Sequence, residues 1–587
     1  MIKIFKYLNP KERLLIGISL VFIVSQVWLE LTIPEYMHEI TTLITTPGSA
    51  MGDIWKAGGF MLLCAVGSLI GAIIVGFFAA RVAASFSQRL RSLLFGKVST
   101  FSVAEVNYFS TPSLITRSTN DITQIQIFIT MAMQLIVRAP IMAVWAIIKI
   151  VGKGFEWSIA TGVTVLILMA VVACIMVLVF PKFRKMQTMT DNITRIAREN
   201  LTGLRVVRAY NAEGYQGKKF EQANKELTDT QLFTNRAMAV MMPTMTLLMS
   251  GLSLAIFWIG AYVINGADAA AKQDAFANMF VFSQYAIQVI MSFIMLVIIF
   301  IVLPRASVSA KRINEVLDTK PSITDGSATE GLPGHTGEVS FRHVSFKYPD
   351  ATECILRDIS FTAKQGEMVA FIGSIGSGKS TLINLIPRFF DVTEGEVLVS
   401  GRNVKEYKLE ALHNKIGYVP QKTILFKGTV GSNVAYGDNG KGDYNDDDIK
   451  RAIKIAQGSE FVEKMEDGYD ASIAQSGSNV SGGQKQRLAI ARAVCRNPEV
   501  YIFDDSFSAL DYKTDRALRR ALKKETAGIT SLVVAQRIGT IMEADQIIVL
   551  DEGQVVGTGT HRELLRHCTI YKEIAMSQLS EEELSDE

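Results

Sequence analysis

Long apolar runs fill the first half of the chain, and they decide its class. A helix that crosses a lipid bilayer needs about 20 predominantly apolar residues. Four runs reach that length without a charged residue. The run at about 14–34 contains Glu30, and the run at about 124–150 contains Arg138 and, at its far end, Lys149. The six runs lie at about 14–34, 58–80, 124–150, 157–181, 237–267 and 275–304. The pattern predicts six transmembrane helices.

Positive charge is distributed unevenly over the connections between these spans. The connections after the second and fourth spans are rich in Lys and Arg, whereas the first connection, about residues 35–53, has neither. Excess positive charge marks the cytosolic side of a membrane. Both termini and the two long connections are therefore predicted to be cytosolic. The short 149–156 connection is a mild exception to the charge rule, because it is predicted to lie on the outer side and contains two lysines.

The domain organisation follows from a change in composition near residue 318. Apolar residues at helical spacing in 90–98 and 193–210 predict that membrane helices continue into the cytosol. The first apolar run lacks a small-residue cleavage site, so we expect a span and not a signal peptide. The predicted parts are a transmembrane domain at 1–318, a linker at 319–335, a soluble α/β domain at 336–575 and an acidic tail at 576–587.

Charge and cysteine content exclude several classes of protein. The net charge is +3 and no basic tract is present, so we expect no nucleic-acid partner. The five cysteines have neither the spacing of metal ligands nor the density of a disulfide scaffold.

A glycine-rich loop in the soluble half carries the first sign of chemistry. The run Glu367–Ile372 predicts a buried strand, and Gly373–Thr381 follows with the sequence GSIGSGKST before an apolar helix start. In this strand–loop–helix context the pattern predicts a phosphate-binding loop. Gly373, Gly376 and Gly378 let backbone N–H groups wrap the phosphates, and the helix N-terminus adds a favourable dipole.

The residues after the glycines predict the remaining ligands of a nucleotide. Lys379 is expected to reach the β- and γ-phosphates and the Ser380 hydroxyl to bind Mg²⁺, with Thr381 completing the motif. A later apolar strand, Val500–Phe503, ends in Asp504, whose carboxylate suits the Mg²⁺ shell. The sequence therefore predicts a P-loop ATPase with ATP and Mg²⁺ as cofactors.

Between these two elements lies VSGGQKQR at Val480–Arg487, and with it the chain resembles the ATP-binding-cassette (ABC) family over almost its whole length. The resemblance implies that Tyr348 stacks on adenine and that Gln421 senses the γ-phosphate beside the metal. It also implies that the loop through Asp511 crosses between two nucleotide-binding domains. The signature residues, which would bind ATP held by the opposite cassette, are Ser481, Gly482, Gly483 and Gln484.

The membrane half resembles the exporter type of this family, in which six spans, cytosolic helix extensions and a C-terminal cassette share one chain. In such proteins short coupling helices dock on the cassettes, and they are expected here near 109–114 and 212–216. Importer membrane subunits are usually separate chains, so an importer is not expected. The resemblance implies a multi-pass protein of a bacterial plasma membrane with its cassette in the cytosol.

Two positions depart from the family pattern. The family usually has Glu after the metal carboxylate and His in a later Ala-His-Arg sequence, where this chain has Asp505 and Gln536. Asp is one methylene shorter than Glu, and Gln cannot carry a proton or a positive charge. One interpretation is a slightly slower symmetric enzyme. The preferred one is the catalytically degenerate subunit of a heterodimeric multidrug exporter, whose partner half-transporter retains the Glu and the His.

The transported molecule is indicated only by residues in the spans. Methionines recur at helical spacing in the fifth and sixth spans, which suits varied hydrophobic ligands or ordinary helix packing. A charge inside a span normally faces a cavity or a partner, so Arg138 contacts an anionic substrate or belongs to a structural pair in the bundle. The predicted function is ATP-driven export of hydrophobic or amphipathic small molecules. A lipid or lipopeptide flippase and a nucleotide-gated channel or regulator are the alternatives.

Overall fold

The computed structural model describes residues 2–46, 48–151, 154–266, 268–525 and 527–579. Their contacts divide the chain into two compact units. The helical unit comprises residues 1–99 and 112–319, and the α/β unit comprises 100–111 and 320–587. Residues 580–587 of the predicted acidic tail and residue 267 of the fifth predicted span lie outside the described residues.

Long helices build the helical unit, after a short 3-10 helix at Ile2–Tyr7. The first eleven α-helices, of which α3 groups with the other unit, are α1 (Pro10–Thr45), α2 (Met51–Ser99), α3 (Val103–Phe109), α4 (Thr111–Thr116), α5 (Ile122–Met131), α6 (Arg138–Ile150), α7 (Phe155–Thr202), α8 (Leu204–Ala209), α9 (Glu213–Ala239), α10 (Met241–Gly266) and α11 (Ala269–Asp318).

Six stretches of the described helices are long and apolar enough to cross a membrane, which confirms the six predicted spans. They are Pro10–Thr45, Met51–Ser99, Thr111–Ile150, Phe155–Val179, Glu213–Gly266 and Ala271–Leu296. Helix α2 alone has 49 residues. At 1.5 Å per residue it is roughly 74 Å long, more than twice the ~30 Å hydrocarbon core of a bilayer. The membrane helices therefore continue beyond the bilayer, as the periodicity of residues 90–98 predicts.

Two π-helical turns interrupt the third span, at 117–121 and 132–136. A π turn shifts the helix face that follows it, and such turns are frequent at functional positions. In the first turn, Arg117 is 9% exposed and donates to the Glu315 carboxylate on α11 at 3.0 Å. Val137 alone separates the end of the second turn from α6, which begins at Arg138.

The two charges inside the predicted spans meet in the structure. The Arg138 Nη2 atom lies 2.8 and 2.6 Å from the two carboxylate oxygens of Glu30 on α1. Lys149, near the end of α6, pairs with Glu35 in the same way. Pairing lowers the cost of keeping a charge in a low-dielectric environment.

The core of the helical unit lies around α11. Tyr285 is fully buried and donates its hydroxyl hydrogen to the Leu31 carbonyl of α1 at 2.8 Å. The methionines do not form a single surface: Met245 and Met279 are buried in this core, whereas Met242 is 71% exposed.

The α/β unit contains a large mixed sheet, a small antiparallel sheet and a two-stranded ribbon. Its strands are β1 (Val339–Phe346), β2 (Leu356–Ala363), β3 (Met368–Gly373), β4 (Glu394–Val399), β5 (Arg402–Asn403), β6 (Ile416–Val419), β7 (Gly428–Thr429), β8 (Ser472–Ile473), β9 (Val500–Asp504), β10 (Thr530–Val534), β11 (Gln546–Asp551) and β12 (Gln554–Gly559). The strand orders are β12-β11-β3-β10-β9-β6, β2-β1-β4-β5 and β7-β8.

Ten further helices complete the described part of the α/β unit. They are α12 (Lys379–Asn384), α13 (Leu409–Asn414), α14 (Val430–Val434), α15 (Asp446–Ile455), α16 (Ser459–Val462), α17 (Gly482–Cys495), α18 (Tyr512–Glu525), α19 (Ile538–Ile541), α20 (His561–His567) and α21 (Thr569–Met576). The fold-class prediction is confirmed.

Five neighbouring strands of the large sheet are parallel, and this decides where chemistry can occur. In their register Gly373 pairs with Leu550, and Val534 pairs with both Phe371 and Asp504. The carboxyl ends of parallel strands share one edge of a sheet, which is where ligands bind in open α/β folds. The phosphate loop after β3 and the acidic end of β9 therefore lie at the same edge.

Residues 100–111 and the start of the predicted linker pack together in the α/β unit. The Glu105 carboxylate of α3 accepts the N–H of Ser102 at 2.8 Å and the N–H of Ser322 at 3.1 Å. Helix α3 ends where the first predicted coupling segment, 109–114, begins. The docking role of that segment stays a prediction.

One arginine holds the linker against the sheet. Arg388 is 6% exposed, and its Nη1 donates to the Thr324 carbonyl at 2.9 Å and to the Lys405 carbonyl at 3.3 Å. Its Nε and Nη2 bind the Asp391 carboxylate at 2.8 and 3.2 Å.

We expect Arg388→Met to destabilise the protein by about 2–4 kcal/mol, because it leaves two carbonyls and a carboxylate without their donor. Thermal unfolding of the full-length protein in detergent measures this as a lower Tm. The matched control is Arg342→Met, which breaks the exposed pair with Glu396, the side chains being 62% and 38% exposed. Such a pair is worth about 1 kcal/mol or less. Equal losses of Tm would contradict the assigned role of Arg388.

Candidate nucleotide site

The phosphate loop is held in shape by glycines. A Cβ on Gly373 would lie 1.9 Å from the Leu550 carbonyl oxygen of the neighbouring strand, so the two backbones can meet only at a glycine. Gly376 and Gly378 have φ angles of 86° and 93°, in the left-handed region that glycine adopts without strain. Gly378 then caps α12, which begins at Lys379.

Lys379 lies inside the loop that is expected to hold the phosphates. Its Nζ donates to the carbonyls of Gly373 and Ser374 at 2.9 and 2.7 Å and to the Ser377 hydroxyl at 3.2 Å. Burial lowers the pKa of Lys379, and the nearby carboxylates oppose this shift. An ammonium held by neutral backbone acceptors suits a position that is to receive negative phosphates.

Ser380 and Asp504 provide a pair of oxygen ligands. The Ser380 hydroxyl donates to the Asp504 carboxylate at 2.9 Å, across the gap between α12 and the end of β9. Asp504 is 4% exposed, and burial raises its pKa. Magnesium prefers hard oxygen ligands such as these and keeps several waters. The residues fit a Mg²⁺ site that a nucleotide would complete.

The two positions that depart from the family pattern are bonded to each other. Asp505 follows β9 with a φ of 46°, and its carboxylate accepts a hydrogen bond from the Gln536 side-chain amide at 2.9 Å. Burial raises the pKa of Asp505, while a hydrogen bond from Gln421 opposes the shift.

The phosphate loop borders a cleft of about 830 Å³ at the carboxyl edge of the sheet, whereas Asp504 and Asp505 are not among the described residues that line it. The predicted site residues that line it are Tyr348, Gly373, Gly376, Gly378, Lys379, Ser380, Thr381, Gln421 and Gln536. The Tyr348 hydroxyl lies 3.0 Å from the Thr381 hydroxyl, and its ring packs edge-on against Phe346 and Phe390. The cleft is large enough for a nucleotide, since ligand sites typically enclose about 300–1,000 Å³.

The signature residues lie apart from this cleft. Ser481 caps α17: its N–H donates to the Gln484 side chain at 2.9 Å, and its hydroxyl accepts from the Gln484 N–H at 3.3 Å. Asp511 caps the next turn by accepting the Thr514 N–H at 3.0 Å. Neither Asp511 nor the signature residues are among the described residues that line the cleft.

Sequence reasoning missed two parts of the cleft. Asp551 lines it and accepts the Ser374 hydroxyl hydrogen at 3.0 Å. Like Asp504, Asp551 ends an apolar strand, and that signal was available. Ile574 and Gln578, in and just after α21, also line the cleft, but they carry no motif that distinguishes them from other residues near the C-terminus.

Two family models match the chain once it is compared with known proteins. The model of the ABC transporter transmembrane region matches residues 16–293, and the ABC transporter model matches residues 356–508.

Relatives are similar over nearly the whole chain. An uncharacterized ABC transporter ATP-binding protein of Mycobacterium bovis is 40% identical, over 98% of this chain and 97% of its own length. One from Bacillus subtilis is 35% identical over 99% of both. The ATP-dependent lipid A-core flippase of Pseudomonas aeruginosa is 32% identical over 89% of this chain and 85% of its own length.

A solved structure shares the fold. The structure of a bacterial Atm1-family ABC exporter with ATP bound matches with a TM-score of 0.80, over 97% of this chain and 100% of that chain. The sequence identity is 23%, so this likeness shows the fold alone.

We expect Gly373→Ala to weaken ATP binding and lower the Tm, because the added Cβ must separate β3 from β11. Forcing an extra carbon into a packed site typically costs about 1–3 kcal/mol. Titration with a fluorescent ATP analogue measures the affinity. Gly539→Ala is the matched control, since its Cβ would meet nothing within 4 Å. Unchanged ATP affinity in Gly373→Ala would mean that the loop tolerates a side chain at this position.

Proposed function

Because the chain belongs to the ABC transporter family and has the fold of an exporter half-transporter, we propose that it moves hydrophobic or amphipathic small molecules out of the cell as one subunit of a heterodimer. Its ABC domain is of the ATPase type that couples hydrolysis to transport. The observation that carries the heterodimer proposal is the hydrogen bond between Asp505 and Gln536, the two positions that depart from the family pattern.

This bond supports slow hydrolysis at the chain's own site. An amide can donate a hydrogen bond to Asp505, but it cannot take up a proton or stabilise developing charge as an imidazolium does. The shorter Asp side chain holds its carboxylate farther from an attacking water, and a misplacement of about 1 Å can cost on the order of 10²-fold in rate. Binding of ATP and Mg²⁺ would depend on the loop, Ser380 and Asp504, and these positions retain the residues of the family pattern.

The signature supports a role at a second site. Ser481–Gln484 retains the family residues, forms a well-capped helix start and does not line the chain's own cleft. We infer that it binds ATP held by a partner half-transporter with an intact Glu and His. The chain would then serve a fast site while having a slow one, with both cassettes in the cytosol of a bacterial cell.

A lipid flippase is the second candidate. The observation in its favour is the 32% identity to a protein named as an ATP-dependent lipid A-core flippase. Such a function would use the same nucleotide chemistry and would differ in what the helical unit carries.

ATP-dependent uptake into inside-out vesicles tests export. We expect a lipophilic fluorescent dye to accumulate in vesicles that contain the transporter, and Lys379→Ala in this chain to reduce the rate because ATP binding is lost at one site. A gated channel would only dissipate a dye gradient. Translocation of a fluorescent phospholipid analogue without dye accumulation would support the flippase.

A pair of substitutions tests the division of labour between the sites. We expect Gly482→Asp to nearly abolish steady-state ATPase activity with a wild-type partner, because it puts negative charge near the phosphates of the fast site. Asp505→Ala should retain most of the activity, since a positioned base contributes about 10²–10⁴-fold only where one operates. A Cβ at Gly482 meets nothing within 4 Å, so folding should be preserved, and Gly482→Ala controls for this. If Asp505→Ala is as damaging as Gly482→Asp, the chain's own site is the working one.

A further inference from the structure

A second groove of the α/β unit has basic side chains along one wall. Its volume is about 150 Å³, and it shares none of its described lining residues with the nucleotide cleft. Helix α18 contributes the basic residues of the lining, which are Arg516, Arg519, Arg520 and Lys523. The carboxylates that line the groove are those of Glu543 and Asp545, from the segment after α19.

Two of the four basic residues have an acidic partner, and the two pairs differ in strength. The Arg519 Nε and Nη2 atoms bind the Asp515 carboxylate at 3.1 and 3.0 Å, and Asp515 is 4% exposed. Lys523 lies 3.5 Å from Glu543, and the two side chains are 74% and 76% exposed. An ion pair as exposed as the second one contributes little, so Lys523 remains available to a further carboxylate.

The other two basic residues are exposed and have no acceptor in the described part of the chain. Arg516 and Arg520 are four residues apart on α18, and Lys523 follows three residues later, so all three lie on one face of the helix. Like charges at this spacing repel each other. This basic stripe, Arg516, Arg520 and Lys523, would therefore be stabilised by carboxylates that come from another segment.

The floor of the groove can take up one apolar side chain. Its lining includes Met368 and Ile529, which are half-buried and thus partly accessible, and the buried Phe507. A cavity of about 150 Å³ among apolar side chains is large enough for a benzene molecule, so a leucine side chain fits. The groove suits a peptide that has several carboxylates and one large apolar residue.

Residues 580–587, which lie outside the described part of the chain, have this composition. Their sequence is SEEELSDE, with five acidic residues, no basic residue and one apolar residue, Leu584. Leu579, directly before them, packs against the apolar cluster that includes Phe507 and Leu522 of the groove lining. The acidic segment 580–587 therefore begins beside the core on which the groove is built.

Hydrogen bonds fix the position from which this segment starts. The Gln578 side chain accepts the Ile538 N–H and donates to the Gln536 carbonyl, both at 2.8 Å. Thr540, two residues after Ile538, lines the groove. The backbone around Gln578 is thus bonded to the loop that forms one side of the groove.

The segment is long enough to reach the basic stripe. Arg519 of α18 donates to the Gly539 carbonyl at 3.0 Å, so α18 itself touches the loop that Gln578 binds. The stripe extends for about 10 Å along the helix axis, at 1.5 Å per residue. Eight extended residues span up to about 26 Å.

We propose that the acidic segment 580–587 docks in this groove of its own chain, with carboxylates on the basic stripe and the Leu584 side chain on the apolar floor. The docking surface belongs to the α/β unit alone, so it does not depend on which molecule is transported or on which nucleotide site is fast.

Carbodiimide cross-linking of the full-length protein in detergent tests the proposal, because it joins a lysine amine to a carboxylate in contact with it. Mass spectrometry of the digested protein identifies the linked residues. We expect the acidic segment to be linked to Lys523 in preference to Lys524, which is also exposed but is not among the described residues that line the groove. The link between Lys523 and Glu543 shows that Lys523 is reactive. Equal yields at Lys523 and Lys524 would overturn the proposal.

Substitutions that leave Lys523 in place should lower its yield with the acidic segment. Arg516→Gln combined with Arg520→Gln should reduce the yield roughly three- to tenfold, because two exposed ion pairs are lost. Leu584→Ser should reduce it about fivefold, since it keeps every charge but removes the apolar contact. The matched control is Lys524→Gln, which removes one charge from the same helix and should leave the yield unchanged. Docking in the groove is ruled out if both groove variants behave like this control.

A mixture of heavy-isotope-labelled and unlabelled chains identifies which copy supplies the segment. Docking within one chain predicts cross-linked peptides that carry the same label on both sides. Pairs of mixed label would mean that the segment of a second copy occupies the groove, which would overturn docking within the chain.

Discussion

The interior of a lipid bilayer offers no hydrogen-bonding partner to the peptide backbone or to a charge, and the helical unit is a response to that constraint. Every spanning segment is a helix, because only a helix satisfies its own backbone groups within one segment. The charges that remain inside are paired, Arg138 with Glu30 and Lys149 with Glu35. Glu30 also accepts hydrogen bonds from Gln26 and Ser68, so the Arg138–Glu30 pair is held within the helix bundle.

A related constraint shapes the α/β unit, where the demand is to bring many N–H groups to one phosphate chain. Backbone N–H groups can approach phosphates closely only if no side chain intervenes. At Gly373 the backbone also lies so near the Leu550 carbonyl of the neighbouring strand that even a methyl group would collide with it. The parallel order of the sheet then brings the other groups to the same edge. Asp504 and Asp551 each end a strand there, and Gln536 follows a third. Site residues far apart in sequence meet because their strands end together.

The sequence was informative where a physical constraint acts on consecutive residues. Six spans and the phosphate loop could be predicted, because a bilayer requires unbroken apolar runs and a phosphate loop requires glycines at fixed positions. Contacts between distant residues could not be predicted in the same way. Nothing local to Arg138 identifies Glu30 as its partner, and nothing in the sequence around Gln578 indicates that it lines the nucleotide cleft. Arg388 looks like any surface arginine until the linker carbonyl of Thr324 is seen beside it. Such assignments depend on packing, which a single sequence does not encode position by position.

The two departures from the family pattern gain meaning from their contact. The Gln536 amide donates to the Asp505 carboxylate at 2.9 Å, so the two departures lie in one hydrogen-bonded contact. A neutral amide satisfies that carboxylate without adding charge to a region where Lys379 already provides a cation and Asp504 a second anion. The slow turnover proposed for this site therefore concerns one hydrogen-bonded unit and not two separate residues. If Asp505 alone were returned to Glu, Gln536 would still be unable to carry a proton or a positive charge, so we expect full recovery of the family's chemistry only when both residues change together.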